Sequence, residues 1–147
     1  MIPLEEHPEI AAKYGVSFGW INLIQDKLKW LILIQEGINP VPNVVNDLFD
    51  DMTLGQMIAT AKPRIKDEKL MGYLHDLNNK RRILAHGLGG EKAFTSKGKP
   101  PEYTGILTIQ FKGKECLLDE LLNEIIELAK KIGDIMDGRY VNSQKKD

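Results

Sequence analysis

The residues with the most chemical content lie together in "DLNNKRRILAHGLGG", residues 76–90. Arg81, Arg82 and His86 fall in the last turn and a half of what reads as a helix. Asn79, Arg82 and His86 recur at helical spacing and share one face, with Arg82 and His86 as i,i+4 neighbours able to act on one ligand. Arginine grips an anion through a planar fork of donors and stays charged at every relevant pH. Histidine is the side chain whose ordinary pKa lets it give or take a proton near neutrality. The pair therefore suits an anionic ligand that also needs acid–base help.

Arg81 adds a second signal. It occupies a rung of the apolar ladder Leu70, Leu74, Leu77 and Leu84, so its stem must run along apolar surface and deliver the guanidinium to a groove or interface. A cation is rarely placed there without an anionic partner. The plainer account is a well-finished helix: cations near a C-terminus gain about 0.3 to 1 kcal/mol each from the dipole, and Gly87 is placed as the left-handed C′ residue. Two influences oppose each other at His86, the helix end favouring the imidazolium and the two arginines disfavouring it. His75 lies roughly 16 Å earlier along the axis at ~1.5 Å per residue, which makes it an ordinary surface histidine.

These side chains need a scaffold, and the spacing supplies one. The first long helix is expected over residues 16–36, with Ile21, Ile24, Leu28, Leu31 and Gln35 on one face, after an arm over 1–14. Its second half, "WLILI", is apolar on nearly every side, which calls for burial by neighbours or by a second subunit. Trp20 and Trp30 read as core or dimer contacts. "GINPVPNV" then breaks the chain, and a short helix is expected over about 43–50. Thr53 and Gln56 form a capping-box pattern opening the next helix, which Pro63 ends or kinks near Lys62. Asp67 caps the helix that runs to about His86. Residues 87–102 read as a mobile loop rich in Gly, Pro and Lys, in which Lys92, Lys97 and Lys99 are solvated charges, with a basic approach for a nucleic-acid backbone as the alternative. "YTGILTIQFKG" alternates like a short strand or hairpin arm. The last helix is expected over 115–137, with a seam from Leu118 to Ile135, and a frayed tail over 140–147. The reading is one domain over 1–147: a mainly all-α bundle of four to five helices with a short β strand or hairpin inserted before the last helix.

Composition narrows the function. The chain has 147 residues, a net charge of -1, 42% hydrophobic and 28% charged residues, and one cysteine. Near-neutral charge argues against a dedicated DNA coater. A lone Cys116 excludes an intrachain disulfide and a cysteine-based metal site, and fits a reducing, cytoplasmic setting. No signal peptide is visible, and Asp26, Lys27 and Lys29 argue against reading 16–34 as a membrane span. "GLGG" follows a helix and is no P-loop or dinucleotide fingerprint, and three scattered histidines make no zinc set. No metal or cofactor is expected.

"RRILAHG" resembles the R-x4-H signature of the HEPN superfamily (higher eukaryotes and prokaryotes nucleotide-binding domains), whose common form reads R-N-x-L-A-H-G. Arg81 takes the motif arginine and His86 the motif histidine, with Leu84, Ala85 and Gly87 matching around them. "MTLGQMI" at 52–58 is also similar to a segment found in many of these domains. The resemblance covers about 16–87 and the closing helix. Arg82 stands where Asn, Asp or His is usual, and Leu88 where toxin members often carry tyrosine. The resemblance implies a metal-independent endoribonuclease acting as a homodimer, with the motif helices of two copies meeting at one cleft. Arg81 and His86 would be catalytic, with Arg82 and Asn79 on the RNA. A toxin–antitoxin or phage-defence setting, with an antitoxin or defence protein as partner, is the implied context. A non-catalytic module of the same fold, binding a nucleotide, a nucleic acid or a protein, is the alternative. A third reading makes the seam a purely structural assembly surface.

Overall fold

The computed structural model describes residues 7–39, 52–88, 108–111 and 114–144, with side chains for 7–39, 52–85, 109 and 115–140. The expected short helix over 43–50, the loop over 89–102 and its lysines 92, 97 and 99 lie outside the described residues. Those residues form four helices and one hairpin: α1 (Pro8–Gln35), α2 (Leu54–Ala61), α3 (Glu68–Leu88), β1 (Thr108–Phe111), β2 (Lys114–Leu117) and α4 (Leu118–Gln144). The fold class is that of a mainly helical bundle, as the spacing predicts. No helix among the described residues is long and apolar enough to cross a membrane.

Local chemistry explains most helix ends. Thr53 and Gln56 close the capping box in both directions, Thr53 Oγ1 accepting from the Gln56 backbone N–H and Gln56 Oε1 from the Thr53 N–H. Asp67 Oδ1 accepts from the Leu70 N–H at 3.1 Å and opens α3. Gly37, at φ 75°, ends α1: its N–H donates to the Ile34 carbonyl and the Ile38 N–H to the Leu33 carbonyl. That is a Schellman closure, and only a residue without Cβ takes that φ at little cost.

Four boundaries differ from the sequence expectation. The first helix begins at Pro8, inside the expected arm, because proline suits the first helical position and Glu9 sits favourably in the first turn. Gly15 and Gly19 do not interrupt it. The last helix begins at Leu118, since residues 114–117 are drawn into antiparallel pairing with 108–111, Ile109 opposite Cys116. It runs on to Gln144, so its final turns take in residues 140–144 of the expected tail. Gly87 lies within the last turn of α3 and not beyond its end.

The chain divides into two compact units. In the first, Met1–Phe18 with Asn79–Glu127, the buried residues among those described are Ser17, Leu84, Ile109, Leu118, Leu121, Leu122 and Ile125. Long-range polar contacts hold the start of α1 to α4 there. The buried Ser17 hydroxyl donates to the Leu122 carbonyl at 3.3 Å, and Lys13 Nζ reaches Asp119 Oδ1 at 2.6 Å. In the second, Gly19–Asn78 with Leu128–Asp147, Ile24, Leu28, Leu54, Met57, Leu70, Leu74, Leu77 and Ile132 are fully enclosed. Arg139 donates to Asp67 Oδ2 through Nε at 3.2 Å and a terminal nitrogen at 3.0 Å.

Candidate functional site

The candidate residues sit on the closing turns of α3, all within the first unit. Helical periodicity sets their directions. Leu84 is buried, and Arg81, one rung before it, is half-buried, whereas Asn79 and Arg82 are exposed. The ladder therefore does carry a cation on an apolar rung. Burial is the first cause that lowers the Arg81 pKa from its ordinary value, and the neighbouring Arg82 guanidinium is the second. Even so lowered, an arginine keeps its proton throughout the physiological range. Desolvation and the like charge of Arg82 both weigh against the charged form there.

The helical backbone continues without interruption through position 86 to Leu88. Position 86 thus stands one turn beyond Arg82 on the same face of α3, about 6 Å along the axis. The side chain of His86 lies outside the described ones. Asn79 precedes Arg82 by about one turn on that face, so Asn79, Arg82 and position 86 form one stripe with Arg81 on its apolar flank. His75 is exposed, as an ordinary surface histidine would be.

Other groups border this stretch that sequence reasoning did not place. Lys80 Nζ lies 3.3 Å from Glu124 Oε2 on α4. Of the three consecutive cations in "KRR", Lys80 is thus answered by a carboxylate of α4. Cys116 on β2 is half-buried, and its thiol is pushed up first by burial, then by Glu124 and Glu120, with Lys80 pulling the other way. A raised thiol pKa leaves less thiolate, the nucleophilic form, near neutral pH. Nothing in the local sequence pairs Lys80 with Glu124, because 44 positions separate them. Only the tendency of a lysine inside a basic run to find a carboxylate hinted at it.

No protein-family model, curated protein or solved structure matches this chain. The chemistry of the residues therefore carries the functional argument. Among the described residues, no group of three or more His, Cys, Asp or Glu side chains could hold a metal ion. What the stretch offers is two guanidinium groups of different exposure beside a position that carries a titratable imidazole. Such a set can bind a phosphate, spread its developing charge and move a proton.

Proposed function

We propose that this chain is an endoribonuclease of HEPN type that works without a metal and as a homodimer. The observation that carries the reading is Arg81, a guanidinium held half-buried on an apolar rung of α3 and lowered in pKa by burial and by Arg82. Attack of a ribose 2′-OH on the adjacent phosphate needs a base for the hydroxyl, an acid for the departing 5′-oxygen, and positive charge for the phosphorane. Each copy contributes one His86, so two copies supply the acid and the base. Arg81 neutralises the phosphorane, and Arg82, open to solvent, takes a non-bridging oxygen or the neighbouring phosphate. Asn79 donates to the RNA backbone one turn away. A toxin–antitoxin or phage-defence role in the cytoplasm follows from the same resemblance.

The test is RNA cleavage in the presence of EDTA by wild type beside His86→Ala and Arg81→Ala, at equal purity. Wild type cleaves and both variants lose at least about a hundredfold in rate, the usual range for removing an acid–base group or a charge-stabilising donor. Equal cleavage by His86→Ala overturns the proposal. A second reading is favoured by Arg82 in the usual Asn position and Leu88 in the tyrosine position. It is a non-catalytic module that binds a nucleotide, nucleic acid or protein through Arg81 and Arg82. That module raises its melting temperature with ligand, loses the effect in Arg81→Ala, and turns nothing over.

A further inference from the structure

The run "KRR" places three cations at consecutive positions of α3, and they lie in different directions. At about 100° per residue, Lys80 and Arg82 fall on opposite flanks of Arg81, roughly 200° apart around the helix. Lys80 leans on α4, its Nζ 3.3 Å from Glu124 Oε2. Its side chain is 23% exposed, whereas that of Glu124 is 57% exposed. The lysine is thus the member of the pair laid against the protein, and the carboxylate meets it from the rim. Arg82, by contrast, is exposed. All of these residues belong to the first unit.

Cys116 on β2 senses the same neighbourhood. Among the described side chains, the carboxylates of Glu124, Glu120 and Glu115 raise its thiol pKa, and the Lys80 ammonium lowers it. Lys80 therefore stands in a carboxylate-rich corner bordered by α3, α4 and β2. A polyanion would gain a contact from this lysine only by displacing Glu124, and would meet like charge on the way.

On the RNA reading of the two arginines, we propose that Glu124 is a positioning residue that acts through Lys80. It holds the lysine against α4, so that RNA phosphates meet Arg81 and Arg82 and not the third cation of the run. Removing the carboxylate then has a signature that damage to the fold cannot mimic, because binding becomes tighter instead of weaker.

Fluorescence anisotropy of the full chain tests this with a single-stranded 2′-O-methyl oligoribonucleotide, which has no 2′-OH to attack, across roughly 0.05 to 0.3 M salt. Each phosphate contact on a single strand contributes about 0.7 to the slope of log affinity against log salt. Glu124→Gln should steepen that slope by about 0.7 and bind at least about threefold tighter near 0.1 M salt. Lys80→Met should keep the wild-type slope, and Glu124→Gln combined with Lys80→Met should return to it. Arg82→Gln should lose about 0.7, which checks the underlying reading separately. An unchanged slope in Glu124→Gln, a shallower one in Lys80→Met, or a gain that persists in the double variant overturns the role of Glu124 and leaves RNA binding by the arginines standing. Wild type that does not bind the oligonucleotide, or Arg82→Gln at the wild-type slope, overturns both.

Discussion

Asp67 does two jobs that can be separated, and their separation gives a quantitative test of how α3 is held. Its Oδ1 caps α3 by accepting from Leu70 at 3.1 Å, while Oδ2 takes two donors of Arg139 at 3.0 and 3.2 Å. Asp67→Ala removes both. The cap contributes about 1 kcal/mol. The ion pair is partly exposed, with side-chain accessibilities of 34% and 27%. Solvent screening therefore limits it to roughly 0.5 kcal/mol, within the range for exposed pairs. The alanine variant should lose about 1.5 kcal/mol, or roughly 5 °C in melting temperature for a chain of this length. Asp67→Asn keeps the cap, since asparagine caps as well as aspartate, and should lose only about 0.5 kcal/mol. The pH dependence follows from the same geometry. The Leu70 N–H bond first, then Arg139, hold the Asp67 carboxyl below its ordinary range, with burial opposing them. A depressed folded pKa means that the stabilisation is present above the unfolded value, about 4, and is lost as pH falls through the folded one. Thermal melts from pH 7 down to about 2 should therefore fall more steeply for wild type than for Asp67→Asn, which has nothing to titrate there. Equal losses in Asp67→Ala and Asp67→Asn would refute the cap, and identical acid limbs would refute the pH argument.

Three further substitutions probe the scaffold and the site. Gly133→Ala should stabilise by about 0.5 to 1 kcal/mol in chemical denaturation, because alanine is the better helix former. The added Cβ meets Ile24 and Trp20 at an ordinary 3.8 and 3.9 Å; a destabilised variant would show that this contact is tighter. Leu74→Ala should cost about 2 to 5 kcal/mol, since Leu74 is fully buried on α3 and its truncation leaves a cavity. Arg81→Met removes the guanidinium but keeps an unbranched chain of similar length, and a helical circular dichroism spectrum should persist. The variant should nonetheless abolish RNA cleavage; unchanged cleavage would leave Arg81 as a helix-end residue only.

What the sequence made legible was local. The capping box of Thr53 and Gln56, the Asp67 cap and the stop at Pro63 each depend on residues within one turn, and all appear as read. The ladder from Leu70 to Leu84 named its own buried face and the cation interrupting it, because a helix maps spacing directly onto direction. Boundaries that depended on distant partners were not legible. The last helix is expected from 115, but residues 114–117 form a strand because 108–111 lies opposite them. The first turns of α1 look unpromising beside Gly15 and Gly19, yet Ser17 and Lys13 find Leu122 and Asp119 far along the chain. Proline at position 8 followed by Glu9 is a local start signal that lies inside the expected arm over 1–14. Lys80 was visible as one of three cations, whereas Glu124, which answers it, lies on another helix and has no local signature.

The measurement that bears most directly on the central claim is the chemistry of the ends left on a cleaved oligoribonucleotide. With EDTA present, wild type should yield fragments ending in 2′,3′-cyclic phosphate and beginning with 5′-hydroxyl, and should leave a substrate with 2′-deoxyribose at the cut site intact. His86→Ala should yield neither fragment. Cleavage of the 2′-deoxy substrate at the same rate, 5′-phosphate ends, or undiminished cleavage by His86→Ala would contradict the account.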